Sequence, residues 1–397
     1  MTPTTHPLAV AGTMAHRPAV AGTAAHRPAP QSPAAHHPAG ADTARHPALP
    51  GRAAHSPAVP DAGALPTGTG YAPCHHGEIL QGAFLDGEGR TCAGLVTLPM
   101  AGPGSRARFA RRPGTAPEAL TVVPADRTKA ADAAALTVVE CARRAGLPPS
   151  GGELRLVGDI PVGLGMGSST SDVIATVRAV ADSYGLRLAP ETVARLAVRA
   201  ELACDPLMLD GRPVLFAQRE GRVLEILGPA LPPLVVVGCT LGGGAPVDTL
   251  ALPAREAADV DIREYERLRA LLRRAVATGD AGLLGEVATA SARRGQQVLG
   301  HPEFDTLTAV ARQVGAAGVQ IAHSGAVAGV LLDPAAPGLR HRVRHCLRAL
   351  DSHGIPATRT FTTFPTTKEF LNGPAHRGGD RPAGPDTPRR PARLPAL

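Results

Sequence analysis

The alternation of apolar and polar positions in Leu154-Arg-Leu-Val157 predicts a short strand, Gly158-Asp159 breaks it, and the apolar run after residue 170 predicts a helix. The same reading places strands at 79–85, 93–98, 106–110 and 154–158, with a helix over 128–145 ahead of the last. Helices follow over 170–184, where Gly185 ends the first, and over 190–203, where Pro190 opens the second. Strands come next at 213–217, 222–226 and 234–239, then helices at 261–278, 280–298 and 303–315. A strand pair within 318–332, a helix at 338–353 and a strand at 357–363 complete the pattern. Helices and strands mix without strict alternation.

The pattern fades at both ends. Of 397 residues, 1–66 and 369–397 are rich in Pro, Ala and Gly and nearly lack aromatics, so neither can build a core. His6, His16, His26, His36 and His46 recur every ten residues, a spacing that brings no two metal ligands together. The first stretch reads as a low-complexity extension, or as an over-extended start of the reading frame. Residues 1–66 and 371–397 also carry +2 and +3 of the formal net charge of +7, leaving a nearly neutral core. The basic balance therefore reflects solvated tails rather than a nucleic-acid-binding face.

The residues with most chemistry lie between the strand at 154–158 and the helix that follows, in Pro161-Val-Gly-Leu-Gly-Met-Gly-Ser-Ser-Thr-Ser-Asp172. Gly163, Gly165 and Gly167 let backbone N–H groups approach an anion, and a helix N-terminus adds unpaired N–H groups and its dipole. Ser168 and Ser169 offer hydroxyls to phosphate or to Mg²⁺. A plain turn is also Gly- and Ser-rich; the order strand, loop, helix favours a phosphate cradle. The only lysines, Lys129 and Lys368, do not follow a glycine, so a Walker A loop is excluded, and protein-kinase segments are missing. A dinucleotide fingerprint would need glycine at Ser168.

The helix pair after the loop adds a geometric expectation. At about 1.5 Å per residue the first helix runs roughly 22 Å from the loop and the second nearly as far back, returning Glu201 to the loop. Six scattered cysteines form no Cys-x-x-Cys pair and read as reduced thiols. No apolar run reaches the roughly 18 residues of a membrane span, and no secretory signal opens the chain. A cytoplasmic enzyme is expected, with no membrane or nucleic-acid partner.

Pro161, Gly165, Met166, Gly167, Ser168, Ser169, Thr170 and Ser171 together resemble the central motif of the GHMP kinase superfamily, the galactokinase, homoserine kinase and mevalonate kinase group. The segment Tyr71–Phe84, through Pro73, Gly77, Glu78, Gln81 and Gly82, resembles the first motif of the L-threonine kinase branch. Residues 318–333 resemble the C-terminal motif, and the likeness spans roughly 68–365. Two departures stand out. Cys74, His75 and His76 occupy the place of the lysine of mevalonate-type members, and His75-His76 replaces the Ser-Cys pair of the threonine kinases.

The resemblance implies a two-domain α+β GHMP kinase fold: an N-terminal ATP-binding domain like domain 2 of ribosomal protein S5 over 67–228, and a ferredoxin-like domain over 229–368. It implies that Pro161, Gly163, Leu164, Gly165, Met166, Gly167, Ser168, Ser169 and Thr170 hold ATP, and that Ser168 and Glu201 hold Mg²⁺. Asp205 is the implied base or orienting group, in a Glu-to-Asp spacing one residue longer than the branch pattern; the alternative is a turn-forming Asp before Pro206. His75, His76, Glu78, Ser324 and Gly325 are implied on the acceptor side, against the plainer reading of a strand-end turn. Lys129 reads as a phosphate contact or an ordinary surface lysine, and His323 as a packed histidine. The implied function is ATP-dependent phosphorylation of a small alcohol, with L-threonine or a related hydroxy amino acid as acceptor and cobalamin side-chain assembly or a specialised amino-acid pathway as setting. Homoserine, a sugar, or a catalytically silent nucleotide binder are the alternatives, and a homodimer is left open.

Overall fold

A computed structural model describes residues 66–244, 259–323 and 325–365. The two expected extensions, Pro66 apart, and Ser324 lie outside the described residues. The α+β class implied by the family resemblance is the class observed. The first sheet contains β1 (Thr67–Leu85), β2 (Thr91–Arg111), β3 (Leu120–Val123), β4 (Gly152–Gly158), β5 (Val214–Ala217) and β6 (Arg222–Ile226). Its order is β3-β4-β2-β5-β6, with β1 also paired to β2, and only β3 and β4 run parallel. The β1–β2 hairpin is tied at its turn by the Asp86 carboxylate, which accepts the N–H groups of Glu88 and Arg90, both at 2.9 Å.

Helices α1 (Thr128–Ala145), α2 (Ser168–Ser183) and α3 (Pro190–Glu201) cover this sheet, burying Val138, Ile174 and Leu196 against Phe109 and Leu154. Gly146 in the left-handed region closes α1, and Pro190 starts α3 where no helical N–H partner is needed. Helix α2 lies close on β1 because of Gly70. A Cβ there would sit 2.1 Å from the Ala175 carbonyl oxygen.

The second sheet is antiparallel, in the order β10-β7-β9-β8, formed by β7 (Val235–Thr240), β8 (Gly318–Ile321), β9 (Val327–Leu332) and β10 (Ala357–Thr362). Four helices accompany it: α4 (Asp259–Thr278), α5 (Ala281–Leu299), α6 (Phe304–Gln313) and α7 (Leu339–Ser352). Every residue of β7 and β9 is buried, because both faces of the sheet are covered. Val235, Val237 and Cys239 pack with Leu307 and Leu350 on one side, while Leu234 and Val236 join Leu80, Leu98 and Leu272 on the other. That second cluster is common to both sheets.

The main departure from the predicted pattern is β1, which begins at Thr67 rather than at 79. Its pairing with β2 shifts register between Pro73 and Cys74, between His75 and Glu78, and between Glu78 and Leu80. These bulges break the period-2 alternation, and all seven residues from Cys74 to Leu80 are buried. Strand β3, four residues between Pro117 and Pro124, has no predicted counterpart, and α2 starts at Ser168, two residues before the expected 170. The strands expected at 93–98 and 106–110 are a single strand, β2, and the remaining elements fall close to their expected places.

Gly70→Ala tests the close approach of α2 to β1. Overpacking of this kind costs about 1–3 kcal/mol, so its urea midpoint should fall with the slope unchanged. A wild-type midpoint would mean that the helix does not need the glycine.

Candidate active site

The loop from Pro161 to Gly167 leaves the end of β4 and delivers the chain into α2. Gly163, Gly165 and Gly167 take φ values of 79°, 83° and 69°, where a side chain would be strained. Gly167 is the residue before the helix, and Ser168, Ser169 and Thr170 form its first turn, the turn whose N–H groups have no partner within the helix. The glycines expected to hold phosphate are thus arranged as a chain of left-handed turns ending on a helix N-terminus, an anion-binding geometry.

Both sheets clamp this loop. From β1, the N–H of His75 donates to the Met166 carbonyl at 3.3 Å. From the β8–β9 turn, the N–H of Val327 donates to the Leu164 carbonyl at 3.0 Å. A Cβ on Gly325 would lie 2.2 Å from the carbonyl carbon and oxygen of Leu164, and one on Gly165 would lie 2.5 Å from Ala322 Cβ. Gly325 therefore meets the loop backbone directly, which gives the C-terminal motif a mechanical role in holding the cradle.

The chain returns to the loop through α3, as the helix-length estimate requires. Glu201, 8% exposed at the end of α3, accepts the hydroxyl of Ser169 on Oε2 and that of Thr170 on Oε1, each at 2.7 Å. Its hydrogen-bond partners are these two residues, which follow Ser168, the residue expected to share Mg²⁺ with it, in the first turn of α2. Burial pushes the Glu201 carboxyl up to about 7, against the two hydroxyl hydrogen bonds; the Asp205 carboxylate adds to the rise and Lys129 opposes it. Leu202 then reverses the chain at φ 68° with 72% of its surface exposed, and the Asp205 N–H reaches Thr170 Oγ1 at 3.5 Å.

Ser168 and Ser169 open onto a cavity of about 230 Å³ whose wall also includes Arg127, Lys129, Val162 and Asp172. Lys129, from the first turn of α1, thus stands beside the loop. Arg127 pairs with Asp172 at 3.4 Å, and Asp172 accepts the Ser105 hydroxyl. Asp172 and Arg127 had no sequence signal of their own; they are charged residues of a helix face and a helix start until the fold joins them.

On the other side of Gly167 lies a second charged group. His75, 1% exposed, bonds the Gly77 carbonyl through Nδ1 and Asp205 Oδ2 through Nε2, both at 3.1 Å. A Cβ on Gly167 would sit 2.6 Å from His75 Nε2 and 3.1 Å from Asp205 Oδ2. Burial pulls the His75 pKa down, but the charge and hydrogen bond of Asp205, with Glu78 and the Gly77 carbonyl, outweigh it and raise it to about 9. Glu78, 3% exposed, accepts the His323 N–H at 2.9 Å, and burial pushes its carboxyl up to about 7 although His75 opposes the rise. His75, Glu78 and Asp205 present ligand-type atoms within 4.8 Å of one another, a spacing that suits a divalent cation. The direct His75–Asp205 contact, however, is that of a hydrogen bond.

His76 has different surroundings. Its Nδ1 pairs with Gln320 Oε1 at 3.1 Å, its ring packs on Phe361, and burial lowers its pKa to about 4. The structure thus brings His75, Glu78 and Asp205 together and seats His76 against the second sheet. His323, expected as a packed histidine, braces Glu78 through its backbone and contacts Ser291 Oγ through Nε2 at 3.2 Å.

Residues 131–207 match the family model of the GHMP kinases N terminal domain. L-threonine kinase of Citrobacter freundii is 30% identical over 175 residues, covering 44% of this chain and 60% of that protein. The corresponding values for L-threonine kinase of Salmonella typhimurium are 29% over 179 residues, 44% and 57%. The matched region spans about three fifths of these relatives' length. Among solved structures, homoserine kinase from Cytophaga hutchinsonii superposes with a TM-score of 0.54 at 16% identity, over 75% of this chain and 94% of that one. Phosphomevalonate kinase of Streptococcus pneumoniae gives 0.53 at 12% identity, over 75% and 98%. The resemblance to GHMP kinases carried by the motifs is thus found in sequence comparison and in fold.

The Glu201 carboxyl gives a pH test. Its folded pKa lies above the ordinary glutamate value of 4.5, so the stabilisation it provides is complete below that value and is lost as pH rises through about 7. Between about pH 5 and 8 the Tm of cation-free protein should fall more steeply than that of Glu201→Gln. Equal slopes would show that the carboxyl is not held protonated by burial.

Proposed function

We propose that this chain is an ATP-dependent phosphotransferase that moves the γ-phosphoryl group to the hydroxyl of a small alcohol, with L-threonine or a related hydroxy amino acid as acceptor. The observation that carries the reading is the hydrogen bonding of Glu201 to Ser169 and Thr170 at the foot of a left-handed glycine loop. A phosphate cradle and a buried carboxylate at one helix start are what Mg·ATP needs. The likeness to L-threonine kinases supports the acceptor class. Within this reading, 67–228 is the ATP-binding domain and 229–368 its partner, and the use of ATP implies the cytoplasm.

The donors fit Mg²⁺. A carboxylate and neighbouring hydroxyls are hard oxygen ligands, and a buried carboxyl raised to about 7 is stabilised as an anion by a nearby cation. Glu201 with the hydroxyl of Ser168 or Ser169 would hold the ion, which when bound neutralises charge on the phosphate oxygens. The chain's own part is alignment: Gly163, Gly165 and Gly167 with the first turn of α2 hold the phosphates through N–H groups, and Lys129 adds positive charge from α1. Asp205, on the far side of Gly167, orients the acceptor hydroxyl or takes its proton. The acceptor oxygen bonds to the γ-phosphorus as the bond to the β,γ-bridging oxygen breaks, giving ADP. Such a loose transition state rests mainly on positioning and charge.

The test is ADP release by the purified chain with Mg·ATP and L-threonine, L-serine, L-homoserine or simple sugars. Turnover is expected on a hydroxy amino acid, with Glu201→Ala lowering kcat by about 10²–10³-fold. Ser168→Ala reports whether that hydroxyl shares the role. Turnover confined to sugars would overturn the acceptor, and lack of ATP binding would overturn the reading of the loop.

A further inference from the structure

The pair formed by His75 and Asp205 carries information about where a proton resides. A backbone carbonyl only accepts hydrogen bonds, so the 3.1 Å contact with Gly77 puts a hydrogen on Nδ1. In a neutral imidazole the other nitrogen is then a bare acceptor. Here that nitrogen lies 3.1 Å from Asp205 Oδ2, also an acceptor when ionised. Two lone pairs do not face each other at that distance inside a protein, so the contact must contain one further proton. The surroundings place it on the ring. Glu78, on the same strand, adds a second carboxylate near the imidazole, and one cation between two carboxylates is better balanced than a neutral ring beside them. The adjacent ring of His76 is kept neutral by burial, and the more distant groups are Glu201, which faces Asp205, and His323, whose backbone holds Glu78.

We propose that His75 is the positioning residue of the phosphoryl transfer: doubly protonated, it grips Asp205 through Oδ2, keeps it an anion, and leaves Oδ1 for the acceptor hydroxyl. Gly167, which lacks a side chain, allows the pair to lie directly against the last residue of the phosphate loop. During transfer the acceptor proton passes to Asp205 Oδ1, the freed oxygen pair forms the bond to phosphorus, and ADP departs with the electrons of the broken P–O bond. The ring keeps both hydrogens throughout. His75 thus supplies positive charge from the strand that carries no lysine, by holding a carboxylate rather than by touching the acceptor. This role rests on the proposed function, whereas the protonation of the pair can be measured without it.

The experiment is ¹⁵N NMR of the histidine rings in the full chain without ligands, with His75→Gln to assign the signal, followed by pH profiles of ADP release. Both His75 nitrogens should carry hydrogen at pH 7 and up to about 9, and Asp205→Asn should leave the ring with a single hydrogen at neutral pH. In the wild type, kcat should fall as the pH rises through about 9. In His75→Gln that alkaline fall should vanish, with kcat lowered about 10²-fold and the KM for ATP little changed, in the range of a lost electrostatic contact. A singly protonated ring at pH 7, a wild-type kcat in His75→Gln, or a divalent ion bound in place of the proton between His75, Glu78 and Asp205 would each overturn the proposal. If the wild type turns over no alcohol, the assigned function fails while the NMR result still decides the state of the pair.

Discussion

The site depends on one deformation of a strand. Between Cys74 and Leu80 the register of β1 slips repeatedly against β2, in a stretch that is buried at every residue. One short stretch then supplies several regions at once: His75 and Glu78 to the charged group beneath Gly167, His76 to the second sheet, and Ile79 and Leu80 to the core both sheets share. In a regular strand His75 and Glu78, three residues apart, would lie on opposite faces; the register slip brings both beneath Gly167. The bulges are what allow a polar site to be built on an element whose neighbours are fully buried.

Burial then determines the chemistry. Glu78 and Glu201 are both pushed towards neutral pH by loss of water, and His75 is pulled the other way by carboxylates despite being more deeply enclosed than either. The region around the helix start thus combines buried carboxyl groups with Lys129 and the Asp172-paired Arg127 at one wall and His75 at the other. Such an arrangement favours a bound divalent cation near Glu201, while the glycine loop supplies N–H groups to the phosphates. The two halves of the cradle are complementary in charge.

Much of this was legible in the sequence because it is local. Three spaced glycines followed by hydroxyl residues specify a turn and a helix start over a dozen residues, and the return of Glu201 follows from helix length alone. The less legible parts depend on distant partners. Thr67–Glu78 was hidden as strand because Gly68, Gly70, Pro73 and Gly77 read as turn residues, whereas Gly70 serves the approach of α2. Pairing Glu201 with Ser169 and Thr170 required the start of α2 to within two residues, finer than apolar periodicity resolves. The meeting of His75 with Glu78, three residues on and of opposite strand parity, depends on the bulge between them, which the letters do not reveal.

The junction between Gly325 and Leu164 has a consequence for motion. Where elements meet through side chains, rotamers can absorb a displacement of a few tenths of an ångström. Here main chain touches main chain, pinned by the bond from Val327 to Leu164, and no soft layer separates them. A shift of the loop on taking up a triphosphate would pass undamped into the β8–β9 turn and, through β8, to Gln320 and the His76 it holds. The joint works as a stiff lever, so the two sheets would report on an occupied loop together.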